Sequence, residues 1–253
     1  MIEETVMKRE AFNMEKTVRR GISANALKLL AMAAMLLDHL WATVVSGNLW
    51  MTCVGRLAFP IFAFQIAEGF FRTSDCKKYL RRLLPFALIS EIPFNLVMGG
   101  SWLFPFHQNV LWTLALGLWA VMALDKARRS GNRRDVAAAV LTVTAALGLS
   151  VIGFTDYGLA GVLTVLLFYV ARDFRGAWLC RLAGMVLINC VLIQGQTLPA
   201  LWDFPIQGFA VLALIPIGLY DGRQGRGGKV MKWLGYWFYP VHLAVLGLLW
   251  LAG

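Results

Sequence analysis

Long apolar stretches alternate with short polar ones along the chain. The apolar stretches fall at residues 23–45, 50–71, 79–99, 109–125, 136–154, 157–171, 178–193, 204–220 and 233–251. A hydrocarbon core of about 30 Å needs roughly 20 mostly apolar residues at a rise of about 1.5 Å each. The pattern therefore predicts an all-α, polytopic membrane protein of about nine transmembrane helices, with 157–171 short for a full crossing. Only helices and closed barrels satisfy backbone groups in lipid, and the sequence lacks the alternating ten-residue strands of a barrel.

The polar stretches suggest an orientation. The amino-terminal segment carries Lys8, Arg9, Lys16, Arg19 and Arg20, and basic residues recur in alternate loops, at 72–82, 126–134, 172–181 and 223–232. The intervening loops, at 46–49, 100–108, 155–156 and 194–203, hold no Lys or Arg. Cytoplasmic loops of membrane proteins are enriched in these residues. The expected topology is an odd number of spans with the amino terminus in the cytoplasm and the carboxyl terminus outside. Counting 136–171 as one broken span would reverse every later loop and contradict the charges.

Composition agrees with this class. The chain is 59% hydrophobic and 15% charged, against about a quarter charged in soluble domains. Its net charge of +10 lies mainly in the orienting loops and implies no nucleic-acid partner. Cys53, Cys76, Cys180 and Cys190 show no paired spacing, so neither a metal site nor a disulfide framework is expected. Residues 1–21 read as a charged cytoplasmic segment, a surface helix or a disordered tail, without the features of a cleaved signal peptide. Residues 22–253 form the membrane domain, in a cell membrane, with a bacterial cytoplasmic membrane expected.

Candidate chemistry lies where polar residues interrupt the apolar runs. Lys28 and Arg56 are the two cations outside the basic loops. Lys28 is near enough to a helix end to snorkel. Arg56 lies within the second span, where an unpaired charge costs at least a few kcal/mol, so a partner or ligand is expected. Asp38 and His39 in the first span and Glu91 in the third fall at a similar depth, with Asp156 and His107 just above. His242 lies near the middle of the last span, and Glu68 nearer the cytoplasm.

Each of these also has a structural reading. Arg56 can pair with Asp38 or Glu91 to hold helices in register, Asp156 can cap the sixth helix, and His242 can be a packing donor. Adjacent helical residues point about 100° apart, so Asp38 and His39 cannot both face one substrate. A lone imidazole is a suitable general base near neutral pH. No GxSxG, HExxH or Walker A motif is present.

The strings that carry these residues resemble those of the TraX family of conjugal pilin acetylases. They run from Met35-Leu36-Leu37-Asp38-His39 through Gly55-Arg56-Leu57-Ala58-Phe59-Pro60 and Ile89-Ser90-Glu91-Ile92-Pro93-Phe94. They continue in Gln108-Asn109-Val110-Leu111-Trp112, in Asp156-Tyr157-Gly158 and in Tyr236-Trp237-Phe238-Tyr239-Pro240-Val241-His242. The resemblance covers about residues 22–250.

It implies a transmembrane acetyltransferase that takes acetyl-CoA from the cytoplasm and acetylates an amine or hydroxyl at the outer half of the bilayer. The acceptor stays open among a peptide amino terminus, a small-molecule amine, a sugar and a lipid. On this reading His39 is the catalytic base or transient acetyl carrier, with Asp38 orienting it or pairing with Arg56. Arg56, Glu91, Asn109, Asp156, Tyr157 and His242 surround the acceptor. Arg72, Lys78 and Arg82 face the donor phosphates, and no metal is needed. Two other readings remain open, a small transporter or channel and a non-catalytic membrane assembly subunit.

Overall fold

The structure, a computed structural model, describes residues 21–193 and 195–252. Residues 1–20, read above as a cytoplasmic surface helix or tail, lie outside the described residues. Helix α1 spans Ala24–Thr43, α2 Leu49–Gly55, α3 Ala58–Arg72, α4 Cys76–Gly99, α5 Val110–Ser130 and α6 Arg133–Ile152. Then come α7 at Gly158–Val170 and α8 at Ala177–Val186, which runs on into a π-helical turn at Leu187–Leu192. A two-stranded hairpin, Thr197–Leu198 against Phe204–Pro205, leads into a 3₁₀ helix at Ile206–Ala213 and α9 at Leu214–Gly218. Helix α10, Gly228–Ala252, closes the described fold.

Six helical segments are long and apolar enough to cross a membrane: α1, α2–α3 taken together, α4, α5, α6 and α10. Gly158–Val170, Ala177–Leu192 and Ile206–Gly218 are shorter apolar helices. Each apolar stretch of the sequence thus holds a helix, but two of the shorter ones are irregular. The 204–220 stretch is mostly 3₁₀, and the 178–193 stretch ends in a π turn.

Local sequence explains where the helices begin. Ser23, Asp75, Asn109 and Asn132 each accept a backbone N–H of the first turn they precede, at 3.3, 2.8, 3.0 and 2.8 Å. Such side-chain acceptors satisfy donors that have no intrahelical partner. The expected single helix over 50–71 is instead broken at Arg56 and Leu57. Pro60 accounts for the break: it has no N–H for the carbonyl of Arg56, and its ring crowds that carbonyl.

Loop contacts sort the helix ends onto two faces. On one, Ile22 donates to Leu219, Asp221 to Ile22 and Ala24 to Arg223, at 2.8, 3.1 and 2.9 Å. Arg72 reaches the carbonyl of Gly222, and Arg128 pairs with Asp173 at 3.2 Å. The basic loops converge on this face. On the other, the 100–109 loop exchanges backbone hydrogen bonds with the turn after α6, Gln108 to Phe154 and Asp156 to Gln108. Phe154, Tyr157 and Gly158 take positive φ there, so a turn separates α6 from α7.

Small residues let the helices approach, as packing within a bilayer requires. Ala31, Ala63, Ala67, Ala120 and Ala146 are all buried. A Cβ at Gly161 would lie 2.4 Å from Thr113 Cγ2, which makes glycine necessary where α7 crosses α5.

Candidate functional site

Asp38 and His39 are neighbours on α1 that engage opposite partners. Asp38 Oδ1 accepts from Arg56 Nη2 at 3.0 Å and from the Thr52 hydroxyl at 2.6 Å. Arg56 also donates to Thr52 Oγ1 at 2.8 Å and approaches Gln207 Oε1 at 3.5 Å. Gln207 in turn donates to Asn189 Oδ1 at 2.9 Å. Of the two partners considered for Arg56, the structure selects Asp38. The break at Arg56–Leu57 lets Arg56 end the short α2 helix while facing α1.

His39 turns the other way, toward α10. Its Nδ1 lies 2.7 Å from Nε2 of His242, and the His242 Nδ1 lies 2.6 Å from the Phe238 carbonyl. The two imidazoles are nearly parallel, at 6°, and Phe238 stacks on His242 with centroids 4.5 Å apart. Asp38 makes no hydrogen bond to His39, so the alternative in which it orients the imidazole is not realised. His242 occupies that place and acts on His39 itself.

Glu91 does not meet Arg56. Its Oε1 accepts from the Asn109 backbone at 3.2 Å and Trp112 Nε1 at 2.6 Å, and also from the Asn109 side-chain amide. Asn109 additionally donates to the Ala87 carbonyl at 2.8 Å and caps α5. Glu91 and Asn109 therefore tie α4 to the start of α5.

Asp156 does not cap α7, whose N-cap is Tyr157 in a left-handed conformation. It accepts instead from the Tyr157 N–H at 3.1 Å and pairs with His107 Nε2 at 3.5 Å. The hydrogen bond to Asp156 raises the His107 pKa above the ordinary imidazole value, against the opposing effect of partial burial. Tyr157 stacks on Phe59 at 4.0 Å, and Asp156 and Tyr157 both lie close enough to act on the Arg56 charge.

A cavity of about 490 Å³ runs between α1, α3, α4, α5 and α10. At the basic face it is lined by Lys28, Arg72, Arg82 and Lys232, with Glu68, Gln224 and Tyr220. Arg72 is held by Glu68 at 2.7 Å. Deeper, the walls are Met35, Phe62, Leu111, Leu114 and Tyr239. The Tyr239 ring is 6.5 Å from that of His39 and 5.8 Å from that of His242. Tyr239 thus lines the cavity and neighbours both histidines.

The structure gathers most of the site residues named from sequence into four groups. Asp38, Arg56, Asp156 and Tyr157 form one, and His39 with His242 forms the second. Glu91 with Asn109 forms the third. Arg72 and Arg82 form the fourth, on the cavity wall. Lys78 lies near Lys232 but off that wall. Lys28, expected to snorkel, lines the cavity. Thr52, Gln207, Asn189, Phe238 and Tyr239 were not singled out from sequence. Of these, Phe238 and Tyr239 stand in a string that carries the family resemblance, and the two amides interrupt short apolar runs.

The family model described as TraX protein matches residues 23–250. The "Probable fimbrial assembly protein FimC, serogroup H1" of Dichelobacter nodosus is 31% identical over 257 residues, covering 88% of this chain and 94% of that protein. "Protein TraX" of Escherichia coli strain K12 is 32% identical over 232 residues, covering 88% of this chain and 85% of that protein. No solved structure matches. With a family model spanning residues 23–250 and relatives aligned over 88% of its length, this chain belongs to the TraX family.

Proposed function

We propose that this chain is a membrane-embedded acetyltransferase. Acetyl-CoA enters from the face with the basic loops, and the acetyl group passes to an amine or hydroxyl presented in the opposite half of the membrane. The observation that carries this reading is one juxtaposition. A cavity bears four cationic side chains at its basic end, and Tyr239 on its wall neighbours a buried histidine pair.

The chemistry of the cavity suits such a donor. Lys28, Arg72, Arg82 and Lys232 match phosphate groups, and planar guanidinium forks bind phosphate oxygens in pairs. The apolar walls suit an extended thioester arm. His39 lies 15 residues past the start of α1, about 22 Å along the helix axis, a depth that a long arm threaded from the basic face is suited to reach.

The reaction then balances with one base. A neutral acceptor amine attacks the thioester carbonyl, and its proton moves to Nε2 of His39 as the new C–N bond forms. Collapse breaks the C–S bond with its electron pair on sulfur, and His39 returns the proton to give free thiol. Arg56, Asp156 and Tyr157 border the acceptor on this reading, and the Asp38 carboxylate holds Arg56 in place. Glu91 and Asn109 shape the wall by anchoring α5.

The same reading takes the three shorter helices as crossings, nine in all, with the basic face in the cytoplasm. A peptide amino terminus is the first acceptor to test, because one relative is named a probable fimbrial assembly protein. In vesicles, the protein is given acetyl-labelled CoA with a pilin-type amino-terminal peptide, an amino sugar or a lipid amine. Label should move to at least one of them. A folded protein that neither binds acetyl-CoA nor releases CoA in any mixture overturns the proposal.

A further inference from the structure

We infer that His242 fixes the tautomer of His39 and leaves Nε2 of His39 as the one bare nitrogen that faces the reaction. The inference follows from hydrogen-bond direction alone. A carbonyl oxygen only accepts, so the 2.6 Å contact to Phe238 puts the proton of His242 on Nδ1. A neutral imidazole carries one N–H, so Nε2 of His242 is an acceptor. The 2.7 Å contact then requires the Nδ1–H of His39 to donate to it. With its proton on Nδ1, His39 has a lone pair on Nε2, and the hydrogen bonds of the described residues leave that nitrogen unpaired.

Packing holds this chain of donors in one orientation. Phe238, His242 and His39 lie in nearly parallel planes, with 14° and 6° between successive rings. Phe238 is one helical turn before His242, so α10 supplies both the carbonyl and the stacking ring. Both imidazoles are buried, and a buried ring nitrogen left without its partner bears the full cost of its desolvation. His242 is therefore a positioning residue. When Nε2 of His39 takes a proton, its Nδ1–H remains hydrogen-bonded to Nε2 of His242 and can cross the 2.7 Å bond. The added charge is then shared by two rings and stabilised by the Phe238 carbonyl, which accepts the Nδ1–H of His242.

For its kinetic consequence this inference rests on the acetyltransferase reading; the tautomers themselves do not. The test uses full-length protein with ¹⁵N-labelled histidine in detergent micelles. The chain has three histidines, so His107→Gln and His242→Gln variants assign all three rings. Long-range ¹⁵N–¹H spectra should show His39 and His242 each protonated at Nδ1 and bare at Nε2. An Nε2-protonated form of either ring in the wild type overturns the inference.

A second arm compares His242→Gln with His242→Leu, after acetyl-CoA binding has shown that each is folded. Glutamine offers an acceptor oxygen to His39 and leucine offers none. The leucine variant should lose about 10²-fold in kcat, within the usual range for a general base, while glutamine keeps the rate within about tenfold. Equal rates in wild type and the leucine variant overturn the role. Absence of acetyl transfer in a wild type with the expected tautomers would instead count against the acetyltransferase reading and leave the tautomer assignment standing.

Discussion

Gly55 lies directly against Asp38: a Cβ built at Gly55 would sit 2.4 Å from Asp38 Cβ and 2.8 Å from its Oδ1. That oxygen receives both Arg56 and Thr52, so the absence of a side chain at position 55 lets α2 deliver Arg56 to α1. Gly55→Ala should force the two helices apart, with the usual overpacking cost of about 1–3 kcal/mol. Unfolding midpoints in detergent check this, and an alanine variant as stable as wild type would contradict the close approach.

The Asp38–Arg56 pair is mostly buried, with side-chain exposures of 17% and 25%. Removing one partner leaves the other charge uncompensated, which typically costs about 3 kcal/mol or more. Asp38→Asn and Arg56→Gln should each destabilise strongly, and the double variant should be more stable than the sum of the singles implies. Strict additivity in a double-mutant cycle would show that the two charges act independently.

His107 and Asp156 form a pH-dependent contact on the opposite face from the basic loops. The His107 pKa is raised in the folded protein by its hydrogen bond to Asp156. The contribution of the pair is therefore complete below the ordinary imidazole pKa and is lost as pH rises through the raised one. Titration followed by the His107 ring resonances should give a lower pKa in Asp156→Asn than in wild type. An unchanged pKa would mean that the carboxylate does not set it.

On the acetyltransferase reading, basic residues on the cavity wall meet the donor phosphates and those off it do not. Arg82→Ala and Lys232→Ala should each weaken acetyl-CoA binding by about tenfold, the effect of losing one charge-assisted phosphate contact. Lys78→Ala, off the wall, should leave affinity unchanged. Calorimetry at fixed salt distinguishes them, and equal losses in all three variants would reduce the effect to general positive charge.

The helical architecture was legible because a bilayer imposes a length and an apolar composition on each segment, and both survive in linear sequence. The break near Arg56 was not read, because the apolar run over 50–71 is continuous across it, although Pro60 carries the signal. The choice of Asp38 over Glu91 as partner for Arg56 was not legible, since equal depth says nothing about which helix lies alongside. Nor was the pairing of His39 with His242, which are 203 positions apart. That contact depends on α10 packing against α1 and α4 at the end of the chain. Gln207 and Asn189 passed unnoticed because single amides in short apolar runs carry little signal, and the cavity exists only once five helices have packed.

The central claim is that His39 acts on an acetyl group delivered through the cavity. Purified protein in detergent, wild type beside His39→Ala, should be measured for acetyl-CoA binding and for slow hydrolysis in the absence of acceptor. Saturable binding in both proteins, with hydrolysis only in the wild type, is the expected result. Hydrolysis undiminished in a folded His39→Ala protein, or no binding to either, would contradict the account.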